Sequence, residues 1–475
     1  MSDNPGKVVA ASIGDCVHVA GVTRFLRIAE EQGYETYFTG PATDLETFVD
    51  AIIAQQPEVI GISYRLTPEN AHTLLAELGS MLVASGVIGK ARILFGGTPP
   101  VARVAREFDY IDRVFSGEES RAEIQAALRG ESLRNTDEAT FPQTVIERIR
   151  WKAPYPLLRH HFGVPAQSIL PTVEGITQLA NARVLDVISL GADQDAQENF
   201  FHPHRQDPKS KGAGGVPFRT EADLAALYQA SRCGNFPLLR SYSGTADHIR
   251  YAEMLLRTIH NAWCATSLFW FNAMDGRGFS PLAQSIREHQ ALMQWHGERD
   301  IPVEGNETYH WGMRDAPDVV VCAAGYLYAY NAKKFGVRDY ILTYMFQSPP
   351  QLSNVMDLAR CLAILEMSEA LADNTFHVWR QTRTGLLSYP TDSRRARAHL
   401  AQSTMLQMAV RPHIIHVVGY PEADHAATAE EVIESAIMTQ EVVDTALRGM
   451  PDGAFDPAVQ QRKLLLIDET KRLID

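Results

Sequence analysis

The sequence predicts an α/β protein of two units: a doubly wound, Rossmann-like domain over residues 1–132 and a (β/α)8 TIM barrel over 167–475, with a linker at 133–166. Three observations predict this. Short apolar runs alternate with helical stretches over residues 7–130, the pattern of a parallel sheet with helices on both faces. A second, longer series of the same kind begins near residue 167, as a barrel requires. A polar stretch containing Arg, Pro and His separates the two.

In the first series, strands are expected at 8–13, 35–38, 59–63, 92–95 and 113–115, with helices starting near Val22, Asp44, Glu69 and Pro100. In the second, strands are expected at 169–173, 185–190, 236–240, 267–271, 303–304, 339–344 and 413–418. Helices such as 246–261 and 281–299 lie between them. Ligands on such sheets sit at the carboxyl ends of the strands. The loops there are therefore the places to look for chemistry.

Composition narrows the function classes. The 475 residues are 45% hydrophobic and 21% charged, ordinary for a globular protein. A net charge of -13 argues against a general nucleic-acid or anionic-membrane binder. Cys16, Cys233, Cys264, Cys322 and Cys361 show no C-x-x-C spacing, so neither a zinc site nor a disulfide framework is expected. The chain starts without a charged-then-apolar signal pattern and has no run near membrane-spanning length. A cytoplasmic enzyme, homodimeric and acting on a small molecule, is the expectation.

The most informative stretch is Asp15-Cys16-Val17-His18-Val19-Ala20-Gly21, between the first strand and first helix. Ser63 to Leu66 follows the third strand, and Gly96-Gly97 follows the fourth. Together these loops resemble the cobalamin-binding domain of the mutase and methionine synthase type. That family reads Asp-x-His-x-x-Gly, Ser-x-Leu and Gly-Gly at these places. The resemblance implies that Asp15, Cys16, His18, Gly21, Ser63, Leu66, Gly96 and Gly97 hold cobalamin, with His18 on the cobalt. It also implies a partner for the other ring nitrogen of His18, which fixes the tautomer and raises ligand basicity. The family's Asp is Cys16 here. A carboxylate is the better acceptor for an imidazole N–H, so Asp15 is expected to take that role.

The second series resembles the large subunit of glutamate mutase (methylaspartate mutase). The matching stretches are Asp186-Val187-Ile188 through Asp193 to Asn199, Gly215-Val216-Pro217, Phe236-Pro237-Leu238-Leu239 followed by Gly244-Thr245-Ala246-Asp247, Trp263, and Phe271-Asn272. The similarity is weak residue by residue but keeps its order over most of 167–430. It implies an adenosylcobalamin-dependent isomerase working through a radical. The family's carboxylate-binding arginines fall on Gln197, Ser210 or Lys211, and Tyr242, which lack the bidentate guanidinium. Glutamate is therefore not the expected substrate. A corrinoid methyltransferase and a non-catalytic cobalamin-binding regulator are the alternatives.

Glu304 to Asp315 is the densest polar patch and follows a strand-like run. Glu304, Glu307, His310 and Tyr242 are the candidate catalytic groups. Gln197, Arg240, Asn272, Arg277 and Arg314 are the candidate substrate contacts. His413, His416, Glu422, Asp424 and His425 lack the i, i+4 spacing of a zinc protease, and no metal besides cobalt is expected. Lys209 to Gly215 lacks the order of a phosphate loop and reads as a loop over the barrel mouth.

Overall fold

The computed structural model describes residues 6–475 except 118, 120, 132–136 and 279. The first residues of the stretch read as a linker, 133–136, lie outside the described residues. The chain divides into two compact units, Met1–Thr136 and Asp137–Asp475.

The first unit is a five-stranded parallel sheet. Its strands are β1 (Lys7–Ser12), β2 (Glu35–Phe38), β3 (Val59–Ser63), β4 (Arg92–Gly96) and β5 (Arg113–Phe115), in the order β2-β1-β3-β4-β5. Alternation along β1 separates two cores. Val9 and Ala11 pack with Phe48, Ile52, Leu75 and Leu78 on one face. Val8 and Ala10 pack with Val22, Leu26, Ala29 and Leu128 on the other. Polar residues begin the helices between: Asp44 accepts from Thr47 N at 2.8 Å, and Thr67 accepts from Asn70 N with Pro68 in the first turn. These caps satisfy N–H groups that a helix start leaves open. The strand order reverses between β1 and β3, which places a ligand crevice at their carboxyl ends.

The second unit is an eight-stranded parallel sheet. Its strands are β6 (Leu157–Phe162), β7 (Val187–Leu190), β8 (Leu238–Arg240), β9 (Cys264–Thr266), β10 (Val303–Gly305), β11 (Asp339–Phe346), β12 (His377–Thr384) and β13 (Ile414–His416), in the order β8-β7-β6-β13-β12-β11-β10-β9. The two outer strands meet through two backbone hydrogen bonds, Ala262 N to Leu239 O at 2.9 Å and Ser243 N to Ala265 O at 3.4 Å. The sheet thus curls into a nearly closed barrel. Leu157, Val187, Leu238, Trp263, Ile341 and Ile414 form one cluster with Val145 and Ile149. Five strands and the residue before β9 converge there, so this cluster is the floor of the barrel interior, with helix Val145–Lys152 beneath it. Their sequence neighbours Leu158, Ile188, Leu239 and Ile415 point outward and pack with the helices. Among the described residues no helix is long and apolar enough to cross a membrane.

Three expectations need correction. The barrel opens with β6, inside the stretch read as linker. Residues 169–173, read as a strand, lead into helix Leu170–Ala182, with Pro171 in its first turn where a missing N–H costs nothing. Residues 267–271 form the loop after β9, because the strand lies three residues earlier. β6 and β12 escape a pattern reading for one reason. Their sequences, LLRHHF and HVWRQTRT, put Arg, His and Gln on the interior face, where an apolar run is the usual signal.

Candidate functional site

In the first unit, adjacency of β1, β3 and β4 brings all three loops to one edge. Ser12, the last residue of β1, donates from its hydroxyl to Cys16 O at 2.7 Å and so curls the first loop over the strand end. The His18 imidazole is exposed at the crest of that loop. Val17 beside it and Leu66 in the second loop are 64% and 37% exposed, an apolar surface unusual beside a polar ligand. Added Cβ atoms at Gly21 and Gly96 meet nothing within 4 Å. At Gly97 a Cβ would lie 2.6 Å from Tyr64 O, so the third loop can pass only as glycine. Ser63 ends β3, nearly buried. An exposed imidazole, open backbone at two glycines and apolar flanks leave room for a ligand over these loops.

The expected support of His18 by Asp15 is not what the structure shows. Asp15 Oδ1 accepts from the Tyr64 hydroxyl at 3.1 Å. The buried Cys16 instead places Sγ 3.9 Å from His18 Nδ1. The reason is direction: Asp15 is exposed on the side of β3, whereas Cys16 is folded under the loop.

In the barrel, a layer of charge lies above the apolar floor. Glu304 Oε2 accepts from Arg159 Nη1 at 2.9 Å, Arg240 Nη2 at 2.7 Å and Trp263 Nε1 at 2.6 Å. Its Oε1 accepts from Thr343 Oγ1 at 3.1 Å. Burial alone would raise this carboxyl, but the two guanidiniums and the indole N–H outweigh it and hold it at about 2. Glu304 was expected as a catalytic group and Arg240 as a substrate contact; Glu304 is instead shared between two buried guanidiniums, and the three side chains form the plug under the mouth.

The next layer up is the mouth. The Tyr242 hydroxyl lies 3.1 Å from His161 Nε2, and the two rings stack at 5.2 Å. His161 meets His416 edge-on at 4.7 Å, and Arg159 Nη2 lies 2.9 Å from His416 Nδ1. Arg240 lies over the Tyr242 ring at 4.5 Å. Arg383, at the end of β12, pairs in register with His416 and sits 5.7 Å from the Tyr309 ring. Burial, then Arg159, Arg240 and Arg383, hold His161 well below the usual imidazole value. Burial, then Arg159 and Arg383, do the same to His416. Both rings thus favour the neutral form, in which one ring nitrogen donates a hydrogen bond and the other accepts one.

The other expected residues divide. Glu307 Oε1 accepts from Ser267 Oγ at 2.6 Å, from Phe269 N at 3.0 Å and from Leu268 N. Burial nevertheless pushes it up to about 7, and its place is to hold the loop after β9 rather than to meet a substrate. Asn272 bridges Phe269 O and Met274 N, a turn lock. Gln197 donates to Ala192 O at 2.9 Å. Arg277 and Arg314 share Asp275 and lie over Phe271 and Trp270. His310 is buried, with both ring nitrogens unpartnered. Tyr242 alone of the expected catalytic groups stands in the mouth beside a proton partner. Arg159, His161 and Arg383 escape the sequence reading, whereas His416 and Tyr309 lie in stretches it singled out without a place at the barrel mouth. The polar alternation at Arg159 and His161, after two leucines, is the signal that finds the first two.

Residues 6–125 match the family model of the B12 binding domain. The first unit is a B12-binding domain. This match supports cobalamin as the ligand of the loops that carry His18, Gly21, Ser63, Gly96 and Gly97. Among solved structures, a cobalamin-binding protein from Desulfitobacterium hafniense DCB-2 is similar at 24% identity and a TM-score of 0.23, over 27% of this chain and 59% of that one. The chain thus spans less than two thirds of that protein. A rubisco-like protein from Burkholderia fungorum is similar at 13% identity and a TM-score of 0.37, over 69% and 71% of the two chains. (S)-3-O-geranylgeranylglyceryl phosphate synthase from Thermoplasma acidophilum is similar at 12% identity and a TM-score of 0.34, over 64% and 100%. No curated protein matches the chain.

Proposed function

We propose that this protein is an adenosylcobalamin-dependent mutase that rearranges the carbon skeleton of a small substrate in the barrel mouth. One observation carries the reading: a B12-binding domain shares its chain with a barrel whose mouth holds a stacked Tyr242–His161 pair over a sealed charge plug. When bound, adenosylcobalamin supplies carbon-radical chemistry through its cobalt–carbon bond. His18 would hold the cobalt, Cys16 would steady the His18 ring, and Gly96 and Gly97 would let the backbone approach the corrin. In the barrel, the Arg159–Glu304–Arg240 plug closes the interior beneath the substrate to water, which protects a reactive species. Tyr242 keeps its proton at the hydroxyl oxygen, and the His161 ring stacked on it orients that hydroxyl by a hydrogen bond at Nε2. Gln197 and Tyr242 stand where the resembled family has carboxylate-gripping arginines, so the substrate differs from glutamate.

Purification in the dark with adenosyl- and methylcobalamin tests this. The adenosyl form is expected to be retained with a His-ligated spectrum that His18→Ala abolishes. Retention and demethylation of methylcobalamin alone would favour a methyltransferase instead. Efficient interconversion of glutamate and 3-methylaspartate would overturn the substrate argument and leave the cofactor reading standing.

A further inference from the structure

The charges around the mouth do not balance. Arg159 and Arg240 share one carboxylate, Glu304. Burial lowers Arg159, but only to about 10, so both guanidiniums are charged at neutral pH. Arg383 adds a third cation. Its side chain is half-buried, and its only hydrogen bond among those described is a long one, Nε to Thr384 O at 3.5 Å. Glu422 is a second carboxylate near these guanidiniums and feels the charge of Arg383. It is engaged elsewhere, with His160 Nε2 at 2.9 Å and Gly419 N at 2.7 Å. Three guanidiniums thus face two committed carboxylates, a surplus of one positive charge.

The two rings beside this surplus favour the neutral form. Burial first, and then the guanidiniums, hold His161 and His416 well below the usual imidazole value. Asn306, the residue after β10, is fully buried with both amide atoms unpartnered. His310, next to Tyr309, is likewise buried with free ring nitrogens. A buried amide without partners costs stability unless something hydrogen-bonds to it. Arg277 and Arg314 also share a single carboxylate, but both are more than a third exposed, so solvent screens their surplus.

We infer that Arg383 is the anchor for one carboxylate group of the substrate, gripped at the barrel mouth beside the stacked Tyr242–His161 pair. A planar guanidinium matches a carboxylate bidentately, which neither lysine nor the neutral imidazoles can do. One surplus charge suits a monoanionic group better than a doubly charged phosphate. This deepens the mutase reading, because it says what the substrate presents to the mouth.

The test is equilibrium binding to the full chain, with and without bound cobalamin. The probes are propionate and succinate, with propionamide and inorganic phosphate for comparison. Saturable binding of a carboxylate is expected at concentrations up to roughly 10 mM. Propionamide should not bind, and phosphate should bind more weakly. Arg383→Met should raise the dissociation constant at least about tenfold, and Arg383→Lys less. Retained cobalamin binding and an unchanged Tm establish that each variant is folded. Equal binding by Arg383→Met, equal binding of propionamide, tighter binding of phosphate, or no saturable carboxylate binding each overturns the assignment. The binding result does not depend on cobalt–carbon chemistry. A protein that binds carboxylates but never turns over adenosylcobalamin would reject the mutase reading and keep the anchor.

Discussion

Cys16 Sγ stands 3.9 Å from His18 Nδ1, where a carboxylate oxygen is the stronger partner. A thiol polarises the imidazole weakly, so His18 should be a soft, easily displaced axial ligand. Cys16→Asp is expected to tighten cobalamin binding by about tenfold, the usual scale of second-shell effects. Asp15→Asn should leave affinity close to the parent's, because Asp15 answers to Tyr64. Spectroscopic titration of the two variants checks this; a larger effect from Asp15→Asn would reject it.

Adjacent glycines are expected to fail in different ways. Gly97→Ala drives a Cβ against Tyr64 O and should lower the Tm of the first unit by several degrees. Gly96→Ala meets no protein atom, so its Tm should match the parent. Its added methyl lies on the open edge and should weaken cobalamin binding. Differential scanning calorimetry and cofactor titration separate the two.

Glu304 and Glu307 should give opposite pH signatures. Glu304 is held at about 2 against an ordinary 4.5, so its contribution is present above pH 4.5 and is lost as pH falls toward 2. Glu307 is raised to about 7, so stability falls as pH rises from 4.5 through 7. Glu304→Gln should cost the barrel about 3–5 kcal/mol at neutral pH, because it strands two buried guanidiniums. Glu307→Gln should remove the loss between pH 4.5 and 7. Urea unfolding of both variants across pH 3 to 8 reads these effects.

Burial, and then the guanidiniums around His161, predict a ring that stays neutral where an ordinary histidine would be largely protonated. Nitrogen NMR of histidine-labelled protein, assigned with His161→Gln, should show His161 unprotonated at pH 6. Arg383→Met should shift its titration upward, because one of the suppressing charges is gone. A His161 titrating at the ordinary value in the parent protein would contradict the mouth electrostatics.

The sequence carries much of the first unit openly. Val8 to Ile13 and Val59 to Ser63 are apolar because both faces of a doubly wound sheet are covered, and the loops that follow keep their motif spacing. The barrel is harder to read where its interior turns polar. His161 and Arg383 sit on strands whose inward positions carry charge, so periodicity hides them. Pairing is harder still: nothing in the order of residues tells that Glu304 meets Arg159 from 145 positions away, or that Asp15 answers to Tyr64 instead of His18.

The meeting of β8 and β9 gives the barrel one weak lateral joint, with two backbone bonds where other neighbours share a ladder. A cylinder with such a slit behaves like a split ring, and bending concentrates at the slit. Glu304 reaches across it as a clasp, because Arg240 belongs to one lip and Trp263 adjoins the other. A single carboxylate therefore sets how far the ring can spring open. Amide exchange at Ala262 and Ser243 would report that motion directly, and releasing the clasp should speed it well before the rest of the wall gives way.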